Sequence, residues 1–100
     1  MNKKVYAILH NSYEFDDLNY GDLTPSFMSL NKDTVLKKFK EIKENEISNF
    51  YRIFKMKENW LNEHPEFKED YQIIVNTKDE LEIFCDNWCY IWKLTEYELN

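Results

Sequence analysis

Hydrophobic and polar positions alternate with a period of two over the last third of the chain, Tyr71 to Leu99. Trp88, Tyr90, Trp92 and Leu94 alternate with Cys89, Ile91, Lys93 and Thr95, and Leu81, Ile83 and Cys85 with Glu80, Glu82 and Phe84. This period sends each set to one face of a sheet. Two clusters of turn formers, Asn76–Asp79 and Asp86-Asn87, separate three runs rich in β-branched and aromatic residues, which predicts a β-meander. Asp86 and Asn87 tolerate positive φ and suit the centre of a tight hairpin, pairing Cys85 with Trp88 and Ile83 with Tyr90. A helix competes for the same stretch. Thr77-Lys78-Asp79-Glu80 fits a capping box, and Leu81, Phe84, Cys85, Trp88, Ile91 and Trp92 recur at helical spacing. The residue types and the placing of the turn pair favour strands.

Upstream, Lys4 to His10 is a short apolar run that predicts a buried strand, with Val5, Ala7 and Leu9 facing one way and Tyr6, Ile8 and His10 the other. Asn11 to Thr24 reads as a loop, although Tyr13, Phe15, Leu18 and Tyr20 are embedded in it. Pro25 to Leu30 predicts a second short strand with Phe27 and Leu30 inward. Asn31 or Asp33 can cap an amphipathic helix running to about Asn45, with Val35, Leu36, Phe39 and Ile42 on its stripe. Ser48 or Asn49 can start a second helix, whose stripe is Phe50, Ile53, Phe54, Trp60 and Leu61. His64-Pro65 ends it, because the residue before a proline is driven out of the helical region. Glu66 to Asp70 is an acidic connector. The sum is a single α+β domain over residues 1–100: an antiparallel sheet of about four or five strands with two helices packed on one face.

Composition narrows the function classes. Hydrophobic residues make up 43% of the chain and aromatics 17%, which marks a folded globule and not a disordered tail. No apolar run approaches the roughly 20 residues that span a bilayer, and the N-terminal apolar run is too short for a signal peptide. A cytoplasmic location in a host cell follows as the expectation, with Cys85 and Cys89 as reduced thiols. The net charge of −6 is unevenly spread. Residues 32–57 carry seven Lys and Arg52 against four acids, whereas residues 62–100 carry three Lys against ten acids. The acidic total disfavours direct nucleic-acid binding and permits docking on a basic protein surface.

The opening Val5–Asp17 and closing Tyr90–Asn100 segments resemble a family of small bacterial and phage domains of uncharacterised function. Those domains open with a strand running into a His-Ser-Tyr-Glu-type turn and close with a Glu-Tyr-Glu-Leu-like strand. Here His10, Ser12, Tyr13, Glu14, Asp16 and Asp17 carry the first match, with Asn11 inserted before Ser12, and Trp92, Leu94, Glu96, Tyr97 and Leu99 carry the second. The resemblance implies an α+β fold with the first and last strands in one sheet, and no activity. In size, acidity and Lys/Asn/Glu/Ile-rich composition the chain also resembles accessory proteins of phages and mobile elements, of which anti-CRISPR inhibitors are the best-known class.

Three chemistries are therefore set against one another. The first is a non-enzymatic inhibitor, monomer or dimer, that occupies the basic surface of a nucleic-acid-handling protein such as a CRISPR effector. Its contacts are Tyr13 and the carboxylates of Glu14, Asp16, Asp17, Glu80, Glu82, Asp86, Glu96 and Glu98, held on a sheet and its turns in imitation of phosphates. The second is direct RNA or DNA binding through the basic helices of residues 32–57, which contain no base-reading motif. The third is a metal or acid-base site at His10, Glu14, Asp16 and Asp17, for which neither a nucleophile nor a second ligand cluster is evident. Cys85 and Cys89, four apart without a second pair, do not match a zinc knuckle. No cofactor, metal or membrane partner is expected.

Overall fold

The computed structural model describes residues 3–14 and 23–99. In chain order the elements are β1 (Lys3–Glu14), β2 (Thr24–Ser29), α1 (Lys32–Met56), α2 (Glu58–Glu63), a 3₁₀ turn (Pro65–Asp70), β3 (Tyr71–Asn76), β4 (Glu80–Cys85) and β5 (Trp88–Leu99). The strands form one antiparallel sheet in the order β2-β1-β5-β4-β3, so the α+β fold read from the pattern is the fold observed. β1 and β5 pair along their full length, from Lys3 opposite Leu99 to Glu14 opposite Trp88. The first and last strands are thus the central ribbon.

The meander forms as its pattern predicts. Cys85 lies opposite Trp88 and Ile83 opposite Tyr90. Asp86 and Asn87 take φ of 53° and 71°, the left-handed pair of a hairpin turn whose twist matches the flanking strands. The competing helix is absent because six consecutive backbone pairings with β5 serve β4 in its place.

One face of the sheet carries the core. Tyr6, Ile8, Phe27, Tyr71, Ile73, Leu81, Ile83, Cys85, Tyr90, Trp92 and Leu94 meet Val35, Phe39, Ile42, Ile47, Phe50, Ile53 and Phe54 of α1 and Leu61 of α2. Ile8, Leu81, Val35 and Leu61 are the largest side chains sealed from water. At 1.5 Å per residue α1 is roughly 37 Å long, and at 3.4 Å per residue β1 and β5 span roughly 40 Å. Rod and ribbon are matched in length.

Four boundaries differ from the pattern reading. The helix does not stop near Asn45 and restart at Ser48; α1 runs unbroken to Met56. Asn45, Ser48 and Asn49 cost only tenths of a kcal/mol each in propensity, and the apolar stripe stays in phase through them. The break falls instead at Lys57, whose φ and ψ of −99° and 4° leave α2 a single short piece. β1 extends four residues beyond His10, because Trp88–Ile91 of β5 supply pairing partners to Asn11–Glu14. Of the rest of the predicted loop, 15–22 lies outside the described residues, and Thr24 is already the first residue of β2, paired with His10. Leu30 is 62% exposed and not inward, since the strand ends at Ser29 and the chain turns toward the Asn31 cap. The acidic connector is a 3₁₀ turn begun by Pro65.

Candidate functional site

The nominated carboxylates do not share one face. Leu81, Ile83 and Cys85 face the helices, so the alternation of β4 sends Glu80 and Glu82 to the opposite side. There they stand half-buried across from Lys93 and Ile91 of β5. Ala7 and Cys89 belong to this side too, and no described helix residue packs on it. Glu96 and Glu98, opposite Tyr6 and Lys4, project toward the helix side at the far end of the ribbon. Glu96 accepts a hydrogen bond from Lys4 Nζ at 3.2 Å, and this bond followed by the carboxylate's charge raises the Lys4 pKa. Asp86 sits at the hairpin tip, 3.5 Å from Lys57 Nζ. Tyr13 lies opposite Cys89, and Glu14 is exposed at the end of β1 beside Trp88. Asp16 and Asp17 lie outside the described residues. A single row of carboxylates imitating phosphates is therefore corrected to two opposed pairs, one of them engaged by Lys4, and a tip acid engaged by Lys57. The physical reason is strand alternation together with the long β1–β5 ribbon, which spreads residues close in sequence over both faces and both ends.

His10 and Glu14 are also parted. Four residues of extended strand separate them by about 13 Å, and His10 is turned under the helices. Its ring stacks on Trp92 at a centroid distance of 4.5 Å, and its Nδ1–H donates to the Ile91 carbonyl at 2.9 Å. The ring is used in packing. Among the described residues no group of three or more His, Cys, Asp or Glu is placed to hold a metal ion.

Beneath α1 runs a seam of titratable groups. Tyr71 Oη accepts from Lys57 Nζ at 2.9 Å and donates to Asp86 Oδ1 at 3.2 Å, joining the end of α1, the start of β3 and the hairpin tip. Lys57 is held protonated to higher pH by that bond to Tyr71 above all. Burial pushes up the Cys85 thiol and the Tyr90 phenol; Asp86 adds to the first and Lys57 opposes it, while Cys85, Glu46 and Asp86 add to the second. A thiol held in its neutral form is a poor nucleophile. Cys85 sits on the helix face and Cys89 on the other, both free and buried. They cannot act as a pair. Sequence reasoning passed over Glu46. Burial raises its carboxyl pKa, and the charge of His10 opposes the rise. The signal was legible: Val35, Phe39, Ile42, Glu46, Phe50 and Ile53 follow the three-and-four spacing of one helix stripe, with a carboxylate in the middle.

The basic helix is in part a roof. Lys32, Lys38, Lys43 and Lys57 stand 5.5–6.0 Å over the rings of Tyr6, Phe27, Phe39 and Tyr71, within cation–π reach. Lys43 Nζ also donates to the Thr77 carbonyl at 2.6 Å. Lys37, Lys40, Arg52 and Lys55 remain on the exposed side of α1. No described helix is long and apolar enough to cross a membrane. Comparison with protein-family models, with curated proteins and with solved structures finds no significant match to this chain.

Proposed function

We propose that this protein is a non-enzymatic binding module that docks on the basic surface of a nucleic-acid-handling host protein and inhibits it, in the manner of an anti-CRISPR protein. The reading rests on one asymmetry of the sheet. Its helix-bearing face is closed by the core, while the opposite face carries Glu80 and Glu82 beside half-buried Leu9 and Ile91 with no described helix over them. Residues 71–99 hold six carboxylates against two lysines, whereas α1 holds seven basic groups against four acids. A surface of carboxylates among apolar side chains attracts Lys- and Arg-rich surfaces at long range and is desolvated on contact. The contact set narrows accordingly: Glu80 and Glu82 carry the interaction with Tyr13 at its edge, Glu14 falls on the helix side by strand alternation, and the engaged Glu96 and Asp86 contribute little.

Binding to purified host proteins, beginning with a CRISPR effector, tests this. Association should survive nuclease treatment and weaken as salt rises. The Glu80→Lys/Glu82→Lys double variant should bind about tenfold or more weakly, through charge repulsion at the interface, while Glu96→Gln stays close to the parent. Tight gel-shift of RNA or DNA that is lost on changing Lys37 and Lys40 would reverse the order in favour of the helix. Stoichiometric metal in the purified protein that disappears with His10→Ala would favour a metal site.

A further inference from the structure

We infer that the aromatic corner formed by α2 and the 3₁₀ turn is a docking site for an arginine-bearing segment of a partner protein. Trp60 of α2 stacks on the His64 ring at 4.6 Å with 20° between planes, and on Phe67 of the 3₁₀ turn at 5.3 Å with 27°. The His64 ring is itself fixed, its Nδ1–H donating to the Trp60 carbonyl at 3.0 Å. The stack is therefore ordered before anything binds. Yet Trp60 is 44% and Phe67 41% exposed, and Met56, the last residue of α1, is 76% exposed. The fold does not require them there. α2 is anchored by Leu61, which is 1% exposed, and Trp60 lies outside the core cluster. Pre-ordered aromatic and Met surface left in water is characteristic of binding anchors.

Charge selects the occupant. Residues 58–70 carry Glu58, Glu63, Glu66, Glu69 and Asp70 against Lys68. Neither ion pair of the described residues involves any of them. A guanidinium fits both halves of this surface, because its plane stacks on an indole while its edge N–H groups reach carboxylates in a bidentate fork. An ammonium offers a point charge without the plane. A nucleic acid could stack its bases here, but its phosphates would meet the acids. This corner is separate from the Glu80–Glu82 face, so the inference stands or falls independently of the docking proposed there.

The test is titration of the full chain with a short arginine-rich peptide, followed through the indole N–H resonances of its three tryptophans. A peptide with every Arg replaced by Lys and a single-stranded oligonucleotide serve as comparisons. The Trp60 resonance should shift selectively, and the Lys peptide should bind severalfold more weakly. Trp60→Ala should weaken the Arg peptide by about tenfold or more, the range of an interface anchor. Glu63→Gln/Glu66→Gln, which leaves the stack intact, should also weaken it, whereas Glu80→Lys/Glu82→Lys should not. Equal binding of the two peptides, a response at Trp88 in place of Trp60, or a response only to the oligonucleotide would overturn the assignment.

Discussion

The carboxyl of Glu46 lies in the middle of the α1 stripe, between Ile42 and Phe50, and works against its own surroundings. Burial raises its pKa above the ordinary 4.5. The folded state therefore holds this proton more tightly than the unfolded state, so its contribution is fully present below the ordinary value and is lost as pH rises through the raised one. Glu46→Gln should flatten the pH dependence of stability in that window and leave the protein more stable at neutral pH. Thermal melts of parent and variant between about pH 4 and pH 7 check this, and a variant less stable at neutral pH would mean the charge is needed for His10. Tyr71 makes the opposite case. Its hydroxyl joins Lys57 to Asp86, so Tyr71→Phe should cost about 1 kcal/mol in denaturant unfolding, the usual worth of such a bond. Lys57→Met should cost less when Tyr71→Phe is already present, because the two share one network.

The behaviour of α1 is decided at the scale of the element. Asn31 Oδ1 accepts from the backbone N–H groups of Asp33 and Thr34 at 3.0 and 3.3 Å, satisfying two donors that the first turn leaves open. Asn31→Ala should therefore destabilise by about 1 kcal/mol, read from the unfolding midpoint with an unchanged slope. At the other end the helix stops without proline or glycine. Lys57 caps it while its side chain is drawn to Tyr71 and Asp86, so a contact remote in sequence coincides with the break. The hairpin at Asp86-Asn87 is the reverse, a local choice. Both residues have positive φ, and a β-branched residue at either should destabilise the hairpin, because its Cβ clashes in that region.

The whole molecule is a thin pair of layers, 59 × 29 × 16 Å along its principal axes. Two layers have one interface, so the core is a single sheet face against a helix stripe, and many large apolar side chains stay partly in water. Leu81, fully buried opposite Trp92 at that interface, should cost about 2–5 kcal/mol on truncation to Ala. The same thinness leaves Lys37, Lys40, Arg52 and Lys55 on the outer side of the helix layer, and it exposes both surfaces proposed for binding. The strand pattern, the Asp86-Asn87 turn and the amphipathic stripe of α1 were legible in the chain because alternation, turn conformation and helical phase are local properties of consecutive residues. The separation of Glu80 and Glu82 from Glu96 and Glu98 is also implicit in alternation, but only the pairing with β1 set which face the helices cover. The continuity of α1, the stop at Lys57, the strand extension to Glu14, the parting of His10 from Glu14 and the stacking of Trp60 on His64 and Phe67 were decided by tertiary structure. Each depends on a backbone or side-chain partner supplied by another element, and side-chain type alone does not say which element arrives.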